Sequence, residues 1–202
     1  MDLKIIISSP SGAGKTTITR NLLKKVKNSQ LSVSCTTRKP RPGEKHGTDY
    51  FFVSKKKFLE LKKKNKFLET AKVFNNYYGT LKSEVISKKK NKIILLDIDW
   101  QGARIIRKKI KNNCHSFYLL PPNFKELKKR LIKRHKENTK IAEERLSNAK
   151  NDIKHWLEYD EVFINKNINQ CTKDIIKKID LVILKNKKKN LVRNFIKKFK
   201  FK

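Results

Sequence analysis

The chain is poor in glycine, proline and acidic residues, and it has no long apolar run. Its 202 residues include only 6 Gly, 5 Pro and 18 Asp plus Glu. This composition excludes collagen-like and low-complexity chains, and a hydrophobic content of 37% is enough for a sizeable core. No apolar run approaches the roughly 18 residues of a membrane span, so we expect no transmembrane segment. The length suits one domain with inserted lobes.

Cysteine is also scarce. Cys35, Cys114 and Cys171 are odd in number and widely spaced along the chain. This pattern predicts reduced thiols rather than a disulfide framework or a zinc site. Residues 1–10 lack the basic lead and the small-residue cleavage site of a signal peptide, so we expect a cytoplasmic protein.

Lysine dominates the charge. The 52 basic residues against 18 acidic ones give a formal net charge of +34, which first suggests a nucleic-acid partner. However, only nine of the basic residues are Arg, and Lys, Ile and Asn make up 82 of the 202 residues. Because these three types share A/T-rich codons, a compositional bias explains the charge without a partner. We therefore expect no dedicated nucleic-acid partner, although small polyanionic ligands would still be attracted.

The apolar pattern predicts strands that alternate with helices, which is typical of an α/β protein with a parallel sheet. The predicted strands are residues 3–8, 31–35, 49–53, 67–73, 77–78, 93–96, 116–120 and 162–164. The predicted helices are residues 15–27, 55–64, 100–111, 124–135, 141–157 and 172–184. Residues 136–140 are polar and lack apolar anchors, so we expect them to be mobile.

Residues 9–17 join the first strand to the first helix and predict a phosphate-binding loop. Gly14, Lys15 and Thr16 match the end of the Walker A pattern, whereas Ser9 replaces its first glycine. In such a loop, backbone N–H groups and the helix N-terminus hold phosphates, the lysine adds charge, and the threonine hydroxyl can ligate Mg²⁺. The predicted ATP-binding residues here are Ser9, Pro10, Ser11, Gly12, Ala13, Gly14, Lys15, Thr16 and Thr17.

Two acids follow the apolar strand at residues 93–96. Asp97 ends that strand in a Walker B-like position, close to where ligands bind in such sheets, and it is the second candidate Mg²⁺ ligand beside Thr16. A helix N-cap is the alternative interpretation, and it fits Asp99 more readily than Asp97.

Arginine is rare enough here for its positions to be informative, because its planar fork binds phosphate in a way that lysine does not. Arg38 and Arg41 lie close together in a proline-containing loop. Arg130 and Arg134 share a helix face at a spacing of four, and Arg145 lies one helix further on. Two arginine groups around one nucleotide site suggest two phosphate-bearing substrates held for in-line transfer. A solvated helix face is the alternative for Arg130 and Arg134.

Five motifs together resemble the guanylate kinase family, and they occur in family order within about residues 3–185. They are residues 9–16, 32–44, 47–53, 76–80 and 96–102. The resemblance implies a P-loop NTPase core with a parallel sheet flanked by helices, a small mixed α/β GMP-binding lobe and a helical lid. The implied boundaries are a core of residues 1–32, 82–121 and 151–185, a lobe of 33–81, a lid of 122–150 and a basic tail of 186–202.

The resemblance also implies the reaction and its residues. The reaction would be Mg²⁺-dependent transfer of the ATP γ-phosphoryl group to GMP or dGMP, giving GDP and ADP, in purine nucleotide metabolism. The implied GMP-binding residues are Ser34, Arg38, Arg41, Tyr50, Glu69, Tyr78, Thr80, Asp97 and Asp99. The implied catalytic residues are Lys15, Arg130, Arg134 and Arg145, and Asn165 is an implied ATP contact.

Residue chemistry agrees with a guanine substrate. Guanine presents an N1–H and an exocyclic amine, and a carboxylate such as Glu69 can accept from both. Adenine has neither donor there and would leave the carboxylate unpaired. The chain departs from the family pattern at Thr80, where Ser is frequent, at His135, where Gly is common, and around Asn165, where Asn-Asp is usual.

The sequence leaves two alternatives to a kinase function. Domains of this family also serve as non-catalytic binding modules, but those typically have damaged ATP loops. Residues 185–202 carry nine positive charges and no acid, so they could form a basic amphipathic helix that binds RNA or an anionic surface. A final helix that packs on the core and then frays is the favoured interpretation of this segment.

Overall fold

The apolar runs of the sequence pair into a five-stranded sheet in which all strands are parallel. The structure is a computed structural model that describes residues 2–85, 92–110, 112–134 and 139–196, with the Arg134 and Thr139 side chains left out. The strands of this sheet are β1 Leu3–Ser8, β2 Ser29–Leu31, β7 Ile93–Asp97, β8 Cys114–Leu120 and β9 Glu161–Ile164. Their order across the sheet is β2-β7-β1-β8-β9.

Helices cover both faces of this sheet, so its central strands are apolar on both sides. Ile5 and Ile7 of β1 face a core that includes Ile18 and Ile175, whereas Ile6 faces the opposite core. The helices are α1 Lys15–Lys25, α2 Lys55–Lys63, α3 Lys82–Val85, α4 Trp100–Lys109, α5 Phe124–Arg134, α6 Thr139–Ile153 and α7 Ile168–Ile196, and a 3₁₀ helix spans Lys154–Glu158. The predicted α/β fold class is confirmed.

A second, four-stranded mixed sheet lies between α1 and β7 in the chain. Its order is β4-β3-β6-β5, with β3 Cys35–Thr36, β4 Phe51–Phe52, β5 Phe67–Val73 and β6 Asn76–Leu81. The small core of this sheet is aromatic, because the Phe58 ring stacks on Phe67 at 4.6 Å between centroids and on Tyr77 at 5.5 Å. Phe58 comes from α2, which begins after its Ser54 N-cap.

The single predicted strand at residues 31–35 is wrong. Leu31 ends β2 and pairs with Leu95 in the first sheet, whereas Cys35 begins β3 and pairs with Phe51 and Gly79 in the second. The chain therefore leaves one sheet and enters the other within four residues. One short stretch of alternating apolar and serine residues serves two sheets here, and a local pattern does not distinguish this arrangement from one strand.

The sequence predictions also differ from the structure at the start of α6 and in the length of the last helix. Residues 136–138 of the segment expected to be mobile lie outside the described residues, and α6 already begins at Thr139. The last helix, predicted for residues 172–184, extends over Ile168–Ile196. Within the described ranges, no helix is long and apolar enough to cross a membrane.

Candidate active site

The candidate phosphate loop is the turn between β1 and α1. Its backbone is left-handed at Gly12, with a φ of 90°, and at Gly14, with a φ of 97°. A Cβ at Gly12 would lie 2.9 Å from Leu127 Cδ1, and one at Gly14 would lie 2.5 Å from Asn165 Nδ2. Both positions therefore require glycine for conformation and for space, and the loop holds two of the six glycines in the chain.

The helix that follows this loop brings positive charge to it. The first turn of α1 contains no acidic residue. Lys15 begins the helix, and its Nζ donates to the Ile98 carbonyl at 3.0 Å and forms an ion pair with Asp97. Asp97 ends β7, and its Oδ2 accepts from Thr19 Oγ1 at 3.3 Å. A positive helix end and an ammonium group thus meet at one sheet edge, an arrangement that binds phosphate.

Asn165 supports the loop from behind. Asn165 and Ala13 are both fully buried, and the Asn165 amide donates to the Ala13 carbonyl at 2.8 Å. The Asn165 backbone N–H donates to the Leu120 carbonyl at 2.8 Å, which ties the segment after β9 to the end of β8. The Asn165 side chain thus faces the loop backbone. Its contact with ATP stays a prediction.

A cleft of about 740 Å³ joins the phosphate loop to the second sheet. The predicted site residues that line it are Ser9, Pro10, Ser11, Gly12, Gly14, Lys15, Thr16, Thr17, Ser34, Arg41, Tyr50, Glu69, Tyr78, Asp97, Asp99, Arg130 and Arg145. Four predicted residues do not line the cleft: Ala13, Arg38, Thr80 and Asn165. The Arg134 side chain lies outside the described part of the chain. Residues distant in sequence therefore meet in one cleft.

The Glu44 carboxylate binds Arg38 and Arg41 in the loop between β3 and β4. Both Glu44 oxygens accept from Arg38 Nη2, each at 2.9 Å, and Glu44 Oε2 also accepts the Arg41 backbone N–H at 2.8 Å. The Arg41 Nη1 lies 3.7 Å from Glu44 Oε1. The Arg38 and Glu44 side chains are 12% and 15% exposed, so this pair is partly desolvated and fixes the Arg38 fork beside the cleft.

Two phenols stand next to these arginines. The rings of Tyr50 and Tyr78 lie 6.0 Å apart between centroids, and Arg38 Cζ lies 5.5 Å from the Tyr50 centroid. Burial raises the pKa of Tyr50, and the nearby charge of Asp97 acts in the same direction. The Tyr50 hydroxyl therefore remains protonated and can donate a hydrogen bond to an anion in the cleft.

Glu69, on β5 of the second sheet, is a buried carboxylate. Glu69 is 5% exposed, and its Oε1 accepts from the Thr80 backbone N–H at 2.9 Å and from Thr80 Oγ1 at 2.6 Å. The Ser34 and Thr80 hydroxyl oxygens lie 3.5 Å apart. The methyl group of Thr80 does not displace the hydroxyl from this cluster, because Thr80 reaches both neighbours. Thr80 therefore contacts both of the other residues that are implied to read guanine.

The N-terminus of α4 adjoins this carboxylate. A Cβ on Gly102 would lie 2.8 Å from Glu69 Oε2, so glycine permits the close approach. Asp99 caps α4 by accepting the Gly102 N–H at 2.9 Å, as its N-cap interpretation predicts. Burial raises the pKa of Glu69 to about 7, and the negative charge of Asp99 acts in the same direction. The Thr80 hydrogen bond acts in the opposite direction and lowers the pKa. Ionised Glu69 is thus costly until a ligand supplies donors.

The helices α5 and α6 carry two arginines to the donor side of the cleft. Arg130 Nε donates to Glu126 at 3.0 Å, which places the guanidinium along the α5 surface. Arg145 Nη1 donates to Ser11 Oγ at 3.1 Å, and its guanidinium carbon lies 4.5 Å from the Phe74 ring centroid. Arg145 therefore touches the phosphate loop and the turn between β5 and β6 at the same time.

Eight residues that line the cleft are absent from the predicted site, and three of them, Glu44, Phe74 and Asp152, make the contacts described here. Glu44 carried a usable signal, because it is an acid three residues after Arg41 in a chain with only 18 acids. Phe74 and Asp152 carried none. The fold alone brings Asp152 to the site, where its Oδ1 accepts from Trp100 Nε1 at 3.0 Å.

We expect the Glu44→Gln variant to raise the KM for a phosphate-bearing acceptor about tenfold, with a much smaller change in kcat. Glutamine keeps the shape but removes the charge that fixes Arg38 and Arg41, so the forks lose their preorganisation. Steady-state kinetics at saturating ATP measures the effect. Glu60→Gln, at an exposed position on α2, is the matched control. A lower KM in Glu44→Gln would mean that Glu44 instead competes with the phosphate.

The stability of the protein should depend on pH through Glu69. Because burial raises its pKa from 4.5 to about 7, the folded state binds more protons than the unfolded state between these values. The free energy of unfolding therefore falls as pH rises through this window. Between pH 5 and 8 we expect the wild type to lose about 2 kcal/mol more than Glu69→Gln in urea unfolding. Parallel pH profiles for the two proteins would contradict this account.

Comparisons with known proteins agree on one family. The sequence model described as guanylate kinase matches residues 2–181. The guanylate kinase of Rickettsia bellii is 44% identical over 188 residues, covering 93% of this chain and 96% of that protein. The Rickettsia prowazekii guanylate kinase is 45% identical over 189 residues, covering 93% of each. The crystal structure of guanylate kinase from Anaplasma phagocytophilum superposes with a TM-score of 0.73 at 32% identity, covering 89% of this chain and 85% of that one.

Proposed function

Because the chain belongs to the guanylate kinase family, we propose that it transfers the γ-phosphoryl group of ATP to GMP, giving ADP and GDP. The observation that carries this proposal is one cleft that contains three kinds of recognition group. These groups are the phosphate loop, the cluster of Arg41, Tyr50 and Tyr78, and the buried carboxylate of Glu69. A cleft with two phosphate sites and one base-reading carboxylate fits two nucleotides placed for direct transfer.

The donor phosphates would bind at the start of α1. Backbone N–H groups of the loop and the N-terminus of α1 would face the β- and γ-phosphates, and Lys15 would exchange its partners Asp97 and Ile98 for phosphate oxygens. Arg130 and Arg145 line the same side of the cleft and would neutralise charge on the transferring group. We propose that Arg134, whose side chain lies outside the described residues, joins them.

The acceptor would bind against the second sheet. Arg38 and Arg41 would hold the GMP phosphate in the geometry that Glu44 fixes, and Tyr50 and Tyr78 would donate their hydroxyl hydrogens to it. The acceptor phosphate oxygen is already a nucleophile, so no side chain has to attack. Positioning and charge neutralisation carry the reaction.

Guanine would bind at Glu69. Its N1–H and exocyclic amine would donate to Glu69, which Thr80 holds in place. Ser34 contacts Thr80, and Asp99 lies close by at the start of α4. Binding these two donors would favour the ionised form and lower the raised pKa of Glu69. dGMP presents the same base edge, so we propose that both nucleotides are acceptors.

Magnesium would enter with ATP. The residues fit it, because Thr16 and Asp97 offer hard oxygen ligands on the cleft wall, and Mg²⁺ usually completes its shell with phosphate oxygens and waters. When bound, the ion supplies neutralisation of phosphate charge. Thr16 and Asp97 would hold it, and Lys15 would release Asp97 for that purpose.

We assign residues 33–81, which contain the second sheet, to acceptor binding. We assign residues 122–150 to a lid that excludes water. The Arg145 contacts with Ser11 and Phe74 support this division, because they join the candidate lid to both other parts. We further place the enzyme in purine nucleotide metabolism in the cytoplasm, where Cys35, Cys114 and Cys171 would remain the free thiols that they are in the structure.

An ADP-release assay coupled to NADH oxidation, with GMP, AMP, CMP and UMP as acceptors, tests the proposal. GMP should be preferred by at least about 100-fold in kcat/KM, because the other bases leave Glu69 without one or both donors. Equal rates with AMP would refute the assignment. Absence of transfer to any acceptor would favour the non-catalytic alternative, against which the intact contacts of Lys15 argue.

A further inference from the structure

One turn of the second sheet holds an aromatic side chain in an unusual backbone conformation. Val73 pairs with Asn76, so Phe74 and Asn75 form the two-residue turn between β5 and β6. The φ angles of Phe74 and Asn75 are 47° and 61°, in the left-handed region. Two-residue hairpin turns of this hand favour Asn and Gly, because a bulky side chain is strained there. Phe74 therefore lowers the stability of this turn.

The chain uses asparagine at its other left-handed positions. Apart from glycine, five of the described residues have a left-handed backbone. Phe74 is one of them, and the other four are Asn28, Asn65, Asn75 and Asn113. Strain of this kind clusters at functional sites, where the surrounding structure maintains it. The exception at Phe74 thus indicates a role for its ring.

The hairpin itself holds this ring in place. The Asn76 side-chain amide donates to the Phe74 carbonyl at 2.9 Å. Behind the turn, β5 and β6 remain paired as far as Phe67 and Leu81. Phe74 lines the cleft, so a paired hairpin carries its ring to the site. A site residue on such a support is positioned more precisely than one on an irregular loop.

The Phe74 ring contacts Arg145 of α6. The guanidinium carbon lies over the ring, 4.5 Å from its centroid, which is within the range of a cation–π contact. Arg145 Nη1 also donates to Ser11 Oγ in the phosphate loop at 3.1 Å. Because a phenyl ring has no lone pair, it can hold the guanidinium without taking up an N–H donor. The ring therefore suits an arginine whose N–H groups have to bind oxygen.

We propose that Phe74 is a positioning residue that acts through Arg145. Its ring would fix the guanidinium at the phosphate loop, where the transferring phosphoryl group would lie. This inference rests on the proposed function and deepens it. Phe74 belongs to the residues assigned to acceptor binding and Arg145 to the lid, so their contact requires these two parts to be close together. Arg145 would then be aligned when donor and acceptor are held side by side.

Single-turnover transfer from ATP to GMP, measured by rapid quench on the full chain, tests this role. Phe74→Leu keeps an apolar side chain but removes the ring, so the transfer rate should fall about tenfold. The KM for ATP and for GMP should stay within about twofold of the wild type. Phe74→Tyr keeps the ring and should recover most of the rate. The matched control is Asn75→Gly, an exposed neighbour in the same turn, which should react like the wild type.

Two further measurements connect the effect to Arg145. In an Arg145→Ala background, Phe74→Leu should change the transfer rate by less than about twofold, because its partner is already absent. In an NMR spectrum of the arginine Nε–H groups, the ring current of Phe74 should displace the Arg145 signal, and Phe74→Leu should abolish that displacement. Arg145→Ala assigns the signal, and Phe74→Tyr should preserve it.

Stability provides a readout of the opposite sign. Phe74→Asn places at this turn the residue that occupies the other left-handed positions, so the urea midpoint of unfolding should rise. The transfer rate of the same variant should fall about as much as that of Phe74→Leu. A residue that only supports the hairpin would instead lose stability when replaced.

Three results would overturn the proposal. An unchanged transfer rate in Phe74→Leu would show that the ring is not needed. A tenfold higher KM for ATP or GMP at an unchanged rate would identify Phe74 as a direct nucleotide contact. A lower urea midpoint in Phe74→Asn would indicate a structural role. Absence of transfer by the wild type would refute the proposed function and this inference together, whereas an active wild type with an equally fast Phe74→Leu variant would refute this inference alone.

Discussion

The Lys15→Ala variant should lose at least about three orders of magnitude in kcat, because it removes the ammonium that would contact the transferring phosphoryl group. GMP affinity should change by less than about threefold, since the acceptor contacts are on the second sheet. In the structure, Lys15 is held by Asp97 and the Ile98 carbonyl, so its charge is already at the end of the phosphate loop before ATP binds. Rapid-quench measurement of a single turnover isolates the transfer step.

Two controls separate this effect from loss of structure. Lys24→Ala changes an exposed lysine near the end of the same helix and should retain wild-type kcat. Lys15→Met preserves the aliphatic stem while removing the charge, and it should be as inactive as Lys15→Ala. Substantial activity in Lys15→Met would indicate that packing of the side chain, rather than its charge, supports transfer.

Replacing Glu69 with glutamine should lower kcat/KM for GMP by about two orders of magnitude. Glutamine offers one acceptor oxygen where ionised Glu69 offers two, and its amide hydrogens oppose the guanine amine or N1–H. The loss of one charged hydrogen bond and the mispairing of the other account for about 1–3 kcal/mol each. The KM for ATP should remain within about twofold of the wild-type value, because Glu69 is on the acceptor side of the cleft.

Inosine monophosphate provides the matched test of this mechanism, since it keeps N1–H but lacks the exocyclic amine. The wild type should prefer GMP over IMP by at least about tenfold, and Glu69→Gln should reduce that preference to within a few-fold. Equal proportional losses for GMP and IMP would show that Glu69 supports the fold of the lobe through Thr80 rather than reading the base.

Local signals were sufficient for the phosphate loop and for the strands of the first sheet. The apolar run at Leu3–Ser8, followed by glycines and Lys15, specifies a strand, a turn and a helix in consecutive residues. In parallel sheets the central strands are buried on both faces, so their sequence is continuously apolar and easy to recognise. Asp97 at the end of β7 was found for the same reason.

Other features depend on contacts between distant residues. Glu44 matters because it reaches Arg38, whereas Asp152 and Phe74 reach the cleft only through the packing of α4, α6 and the second sheet. The division of residues 31–35 between two sheets also follows from distant partners, which are Leu95 for one half and Gly79 for the other. No local periodicity contains that information.

The sequence by itself determined the α/β class, the phosphate loop, the arginines and the family resemblance, because each of these is written in consecutive residues or short spacings. Only the tertiary structure decided the raised pKa of Glu69, since burial and the approach of Asp99 cause it. The same holds for α7, whose sequence contains two apolar stripes. Packing against the sheet buries the stripe that contains Ile175 and Ile179, whereas Leu181 and Leu184 remain exposed because they lie on another side of the helix.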